Sequence, residues 1–122
     1  MYPVESHIAE KLHAYTLPRA SVNSRVKDLP DIALLGKVRQ LDKAHVRRAI
    51  EQTFGFRKTH PVSSSLPDPP GSWMDVYRRI AQEDDLEWRT LPELVAAVRA
   101  FIDPVLGSVD DARWSPMLWK WL

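Results

Sequence analysis

The side chains best suited to chemistry belong to one basic segment. Residues 19–58 carry ten Lys or Arg side chains against four acids, so that this segment is +6 while the rest of the chain is −5. Clustered cations are the groups that attract phosphates. The segment is therefore a candidate surface for RNA or another polyanion, while the alternative is that these charges only solvate ordinary helix surfaces.

Composition excludes several other kinds of site. The chain has no cysteine, which excludes disulfides, thiol nucleophiles and zinc knuckles. Its four histidines, His7, His13, His45 and His60, lack the paired spacing of metal ligands, so no metal site is expected. Four glycines supply no phosphate-binding loop, and no Ser/His/Asp order typical of hydrolases is present.

Length and hydropathy indicate a soluble protein that is not secreted. The chain of 122 residues, 44% hydrophobic, is long enough for one domain with a modest core. No apolar run approaches the roughly 20 residues needed to cross a bilayer. The N-terminus lacks the basic start and apolar core of a signal peptide, so neither secretion nor a membrane partner is expected.

Helical periodicity dominates the chain and predicts an all-α fold of about five helices plus a short C-terminal helical turn. The helices are predicted to begin near Pro3, Asp28, Asp42, Ser72 and Thr90. The first is predicted to end at about Tyr15, the third at Gly55 and the fifth near Pro104. We expect a single domain over residues 1–122. It can be subdivided into basic helices at 1–58, a Pro/Ser-rich strap at 60–71 and Trp-rich helices at 72–122.

The C-terminal tail is predicted to be helical because its large apolar residues recur at helical spacing; these are Trp114, Met117, Leu118 and Trp121. All five tryptophans lie in the second half of the chain. They are interpreted as core or interface anchors rather than as platforms for base stacking. Trp119 is the one expected to be exposed.

Two stretches carry a family resemblance. Residues 2–15 read YPVESHIAEKLHAY and residues 24–35 read SRVKDLPDIALL, and the loop between them contains Leu17-Pro18-Arg19. They resemble the C-terminal motifs of the AbiEii/AbiGii nucleotidyltransferase toxins, in which an AEKLHA helix precedes an R-x-K-D-L-x-D-x-x-L-L helix. Residues 66–73, LPDPPGSW, and the later AFIDPVL also look like the tail of that family.

The resemblance implies a cytoplasmic toxin of a toxin–antitoxin or abortive-infection system that transfers a nucleotide from a nucleoside triphosphate to RNA, tRNA being the expected acceptor. Mg²⁺ and the triphosphate would be cofactors of the complete family enzyme. Lys11 matches a triphosphate contact, and Asp28 or Asp31 matches the acidic motif that completes the catalytic site. Further phosphate contacts implied by the resemblance are Arg19, Arg25 and Lys27.

Structural explanations of the same residues stay open. Asp28 could cap the second helix, with Asp31 favoured by the positive end of that helix. Lys11 could be a solvated residue beside an apolar stripe. His13 is interpreted as a packing residue rather than a base.

The resemblance also raises the question of completeness. In the family, a glycine-serine turn and paired metal-binding carboxylates precede the lysine helix, whereas this sequence begins at that helix. We therefore expect a C-terminal domain or truncated form, inactive alone, whose catalytic core is missing or lies on a separate N-terminal part. The alternative is a non-catalytic helical module that binds an antitoxin or companion domain, or that forms a homodimer.

Overall fold

The computed structural model describes residues 3–21 and 23–122, and this part of the chain is predominantly helical. Five helices are present within it. Their bounds are Val4–Thr16 (α1), Asp28–Leu35 (α2), Lys43–Arg57 (α3), Trp73–Glu83 (α4) and Leu91–Gly107 (α5). The predicted helical class and the order of the five helices are confirmed. None of the helices in the described ranges is long and apolar enough to cross a bilayer.

The C-terminal tail is a β-hairpin, so the predicted helical turn is wrong. Strands Arg113–Ser115 (β2) and Lys120–Trp121 (β3) pair antiparallel, and β2 also pairs with Leu41–Asp42 (β1). In this register Trp114 lies opposite Trp121. A separation of seven residues places two side chains on one helix face, but it also places them across a short hairpin. The spacing alone could not distinguish these structures.

The hydrophobic core is one continuous cluster within the described residues. All five helices contribute to it, together with Leu66 of the strap and Trp114 of β2. Helix α1 packs mainly against α3 and α2, and α2 packs in turn against α5. These contacts bring the end of α1, the start of α2 and the end of α3 together on one side of the molecule.

Indole rings anchor the tail to the helices. The Nε1 groups of Trp114, Trp119 and Trp121 each donate to a helix-associated carbonyl, at Gly36, Ala97 and Phe101 respectively, over 2.7–2.9 Å. Trp119 is therefore half-buried rather than exposed as predicted. The packing-anchor interpretation of these tryptophans agrees with their contacts.

Two helix boundaries differ from the sequence reading. Helix α5 was expected to end near Pro104 but continues to Gly107, because the extra turn buries Val105 and Leu106. That burial offsets the one hydrogen bond that a proline cannot donate. Helix α3 was expected to close at Gly55 but extends to Arg57, and Lys58 ends it in the left-handed conformation with φ 54°.

Candidate functional site

A cleft of about 410 Å³ opens beside α1, near the end of α3. Its wall contains four cations and one carboxylate. The lining residues are Glu10, Lys11, His13, Ala14, Leu17, Arg19, Arg25 and Arg57. Three of the predicted site residues, Lys11, Arg19 and Arg25, thus share one cleft although they are separated along the chain.

Lys11 connects α1 to the start of α2. Its Nζ lies 3.0 Å from Asp31 Oδ2 and 3.8 Å from Asp28 Oδ1. The lysine side chain remains 32% exposed, whereas the side chain of Asp28 is only 3% exposed. The structure therefore brings together the three residues predicted to be catalytic, and it leaves the lysine accessible to solvent.

Asp28 pairs with Lys11 and Arg25 rather than capping α2. It is the first residue of α2, and neither it nor the preceding Lys27 makes a side-chain cap hydrogen bond, so the capping explanation is wrong. Instead, Arg25 donates to both Asp28 oxygens, from Nε at 2.8 Å and from Nη2 at 3.3 Å. This hydrogen bond to a carboxylate raises the pKa of Arg25.

The remaining predicted phosphate contacts have different environments. Arg19 lines the cleft and donates from Nη2 to the carbonyl of Ala14 over 2.6 Å. Lys27 is exposed and does not line the cleft. Arg57, which the sequence reading did not single out, lies on the cleft wall and pairs with Glu10 at 2.6 Å. Its only sequence signal was membership of the basic segment.

A chain of hydroxyl and imidazole groups begins at His13, which lines the cleft. His13 Nε2 is 2.8 Å from Thr59 Oγ1, and Thr59 Oγ1 is 3.0 Å from His60 Nδ1. His60 Nε2 is 2.8 Å from Thr16 Oγ1, which donates to the carbonyl of Leu12. Sequence reasoning assigned no chemistry to this hydrogen-bond chain, because His13 and Thr16 belong to α1 whereas Thr59 and His60 follow α3.

Burial controls the charge of both histidines. It lowers the pKa of His13, as do the charge of Arg57 and the charge that His60 carries when protonated, while Glu10 acts in the opposite direction. Burial also lowers the pKa of His60. Because both values fall below the ordinary 6.5, both rings are neutral at pH 7. His13 also packs against Phe54, as expected of a packing histidine.

The two carboxylates that pair with cleft cations, Asp28 and Asp31, do not form a Mg²⁺ site. Asp28 is occupied by Arg25 and Lys11, and Asp31 by Lys11, so a metal ion there would meet cations already in place. Residues 3–21 and 23–122 also contain no group of three or more His, Asp or Glu side chains that could hold a metal. The four cations, Lys11, Arg19, Arg25 and Arg57, outnumber the three carboxylates that pair with them, Glu10, Asp28 and Asp31, so the cleft keeps a net positive charge that suits an anionic ligand such as a triphosphate.

Comparison with known proteins gives one family match. A family model described as "Nucleotidyl transferase AbiEii toxin, Type IV TA system" matches residues 1–118 of the 122-residue chain. No curated protein matches the chain. The matched region includes both motif stretches and the whole cleft wall.

Proposed function

The chain belongs to the AbiEii nucleotidyltransferase toxin family, and from that premise we propose that its cation-lined cleft binds the phosphates of a nucleoside triphosphate whose nucleotide is transferred to RNA, with tRNA as the acceptor. The observation that carries this proposal is the convergence of Lys11 and Arg25 on the buried carboxylate of Asp28. A toxin–antitoxin family also implies an antitoxin partner.

The electrostatics of the cleft favour a polyphosphate. Arg19, Arg25 and Arg57 present planar guanidinium groups suited to pairs of phosphate oxygens, while Lys11 acts as a point charge. Transfer from a triphosphate requires cations that neutralise the charge developing on the leaving pyrophosphate. Lys11 is suited to this role because its ammonium group is partly exposed and already fixed by two carboxylates.

Asp28 has a positioning role in this proposal. Its buried carboxylate holds Arg25 from one side and Lys11 from the other. A fixed pair of cations loses less conformational entropy on binding than two free side chains do. Asp31 supports the same lysine from the exposed side of α2, since its side chain is 40% exposed.

Mg²⁺ supplies charge neutralisation and orients the attacking hydroxyl in this class of reaction. Because Asp28 and Asp31 are engaged by cations, we propose that the metal-binding carboxylates belong to a companion catalytic part. This chain by itself would then bind the triphosphate without transferring a nucleotide to RNA in the cytoplasm. The basic segment 19–58 would contact the RNA phosphates, with an affinity that falls steeply as salt rises.

Photolabelling with 8-azido-ATP tests the location of the site. We expect cross-links in the peptides around α1 and the start of α2, and weaker labelling of Lys11→Ala. The matched control is Lys120→Ala, because Lys120 is an exposed lysine that does not line the cleft. Labelling that maps to other helices, or that is equal in both variants, would contradict the proposal.

A transfer assay tests the need for a companion. The chain is incubated with Mg²⁺, total tRNA and each α-labelled nucleoside triphosphate, and labelled RNA is measured on a gel. We expect none. Labelled tRNA that disappears in Lys11→Ala would show that the chain carries a complete active site, and the companion would then be unnecessary.

The exposed end of the hairpin favours a second function, partner binding. Met117 is 92% exposed and Leu118 57% exposed. They lie at the turn beside a cleft of about 610 Å³ that Trp88 and Trp119 help to line. Exposed apolar side chains next to aromatic rings are typical of interfaces. We propose that an antitoxin, a companion domain or a second copy of the chain contacts this turn.

Light scattering after size exclusion distinguishes a second copy from the other partners. If the turn mediates homodimerisation, the wild type elutes as a dimer and Met117→Glu as a monomer. A monomeric wild type would exclude the homodimer and leave an antitoxin or companion domain as the partner of this surface.

A further inference from the structure

The hydroxyl of Thr59 is held between two imidazole rings, at 2.8 Å from His13 Nε2 and 3.0 Å from His60 Nδ1. Thr59 follows α3 by two residues and is exposed, whereas His13 is buried. An accessible hydroxyl in contact with imidazole nitrogens is the arrangement that activates serine and threonine nucleophiles.

Counting protons fixes the direction of each hydrogen bond in the row formed by Thr16, His60, Thr59 and His13. Thr16 has one hydroxyl proton, which it donates to the carbonyl of Leu12, so its Oγ1 must accept from His60 Nε2–H. A neutral His60 protonated on Nε2 has a lone pair on Nδ1. Thr59 must therefore donate its proton to His60 Nδ1. Its oxygen then accepts from His13 Nε2–H.

We propose that Thr59 Oγ1 is a covalent acceptor for a phosphorus group from a nucleoside triphosphate, with His60 as its general base. Thr16 is the residue that orients the base, because it receives the opposite N–H of the same ring. Nucleophile, base and orienting group thus follow one another in the order that defines an activated hydroxyl.

The position of Thr59 explains the choice of donor. His13 lines the cation-lined cleft and also contacts Thr59, so the exposed hydroxyl lies beside the cleft, one hydrogen bond from its lining. Arg57, two residues before Thr59, lines the same cleft. The assignment of the donor rests on the proposed function, whereas the activation of the hydroxyl rests on the hydrogen-bond chain alone.

The reaction balances with these groups. Thr59 Oγ1 forms a bond to phosphorus, a bridging P–O bond of the triphosphate breaks, and the hydroxyl proton passes to His60 Nδ1 and then to solvent. Attack at the α-phosphorus leaves a nucleotidyl-threonine and releases pyrophosphate. Attack at the γ-phosphorus leaves a phosphothreonine and releases the nucleoside diphosphate. The cations of the cleft stabilise the leaving group in either case.

The charge state of the base agrees with this role. Burial lowers the pKa of His60, so the ring is neutral and able to accept a proton at pH 7. The titratable and charged groups around the chain are His13 and Glu10 on α1 and Arg57 on α3. At His13 the charges of His60 and Arg57 disfavour protonation and Glu10 favours it, whereas at His60 the lowered pKa comes from burial.

A fluorophosphonate probe tests the nucleophile without any need for a triphosphate site. We expect mass spectrometry to find the phosphonyl adduct on Thr59, to find it retained in Thr59→Ser, and to find none in Thr59→Val. A wild type that gains no adduct, or an adduct on another residue, would overturn the proposal.

Substitutions of the supporting groups test the mechanism. His60→Gln keeps a polar side chain but removes the base, and should slow labelling about a hundredfold. Thr16→Val should slow labelling less than His60→Gln does, because the freed ring still spends part of its time in the tautomer that has a lone pair on Nδ1. The wild-type rate should rise with pH and reach half its maximum below 6.5, following the lowered pKa of His60. Equal rates in wild type and His60→Gln would contradict the role of the base.

Labelled ATP identifies the donor and separates this proposal from the previous one. Label from the α position on Thr59 indicates nucleotidyl transfer, and label from the γ position alone indicates phosphoryl transfer. Lys11→Ala should lose labelling by ATP but keep labelling by the fluorophosphonate, since only the first reaction needs the cleft. Absence of both ATP labels from wild-type protein would overturn the assignment of the donor.

Discussion

The cleft and the Trp-rich tail use polar groups in opposite ways. In the tail, the indole N–H groups of Trp114, Trp119 and Trp121 are each used up by a backbone carbonyl. At the cleft, Lys11 and Arg25 share buried Asp28 but keep part of their side chains in solvent. The polar groups of the tail therefore contribute to stability, whereas the cations of the cleft stay accessible to a ligand.

The largest expected effect is on the tail. Trp114→Ala removes a fully buried ring that packs against Phe101, Trp119 and Trp121, and also a hydrogen bond to Gly36. We expect the free energy of unfolding to fall by about 3–5 kcal/mol, measured by urea denaturation.

Trp114→Phe is the milder companion to that substitution. It should lose less stability and leave ATP affinity unchanged, because Trp114 does not line the cation-lined cleft. A change in ATP affinity in Trp114→Phe would break the division between the two regions.

The next substitution tests the packing between Gly36, at the end of α2, and the tail. A Cβ at Gly36 would lie 2.9 Å from Trp119 Cη2 and 3.3 Å from Phe101 Cδ2, so Gly36→Ala should destabilise the protein by about 1–3 kcal/mol. Gly55→Ala is the control, since nothing lies within 4 Å of the new methyl group in that helix. It should stabilise by about 0.5–1 kcal/mol. Equal thermal shifts in the two variants would disprove close packing at Gly36.

The cleft contributes to stability through Asp28. Asp28→Asn removes the buried charge shared by Arg25 and Lys11, and we expect a loss of about 1–3 kcal/mol in chemical denaturation. Asp31→Asn should cost less than about 1 kcal/mol, because its side chain is 40% exposed. A reversed order would mean that Asp31, not Asp28, organises the cations.

The smallest effect is a dependence on pH from His13 and His60. Their pKa values are lowered in the folded protein, so the unfolded chain binds more protons between the ordinary value of 6.5 and the folded values. Their contribution to stability is therefore complete above pH 6.5 and falls as pH drops through that window. Urea midpoints of wild type and His13→Gln across this range should differ most at neutral pH. Parallel curves would argue against buried neutral rings.

Much of the fold follows from local signals in the sequence. Thr90 accepts a hydrogen bond from the Glu93 N–H as its capping pattern predicts, and α1 begins and ends within a residue of the prediction. The hairpin was missed because Trp114 and Trp121 satisfy two periodicities at once. Only tertiary contacts with α5 decide between them.

The site was predicted in part, for a similar reason. The motif resemblance placed Lys11, Asp28 and Asp31 together, and the structure brings their side chains within ion-pair distance. The resemblance did not indicate that Arg57 lies near these residues, because that arginine reaches the cleft only through the packing of α3 on α1. Whether these residues serve catalysis stays a prediction.

The most direct test of triphosphate binding at the cleft is its affinity for ATP at low ionic strength. Calorimetry measures this affinity for Lys11→Ala and for the control Lys120→Ala. We expect Lys11→Ala to raise the Kd about tenfold, which corresponds to about 1.4 kcal/mol, and Lys120→Ala to bind like the wild type. Equal dissociation constants for the two variants would contradict the claim that Lys11 binds the triphosphate.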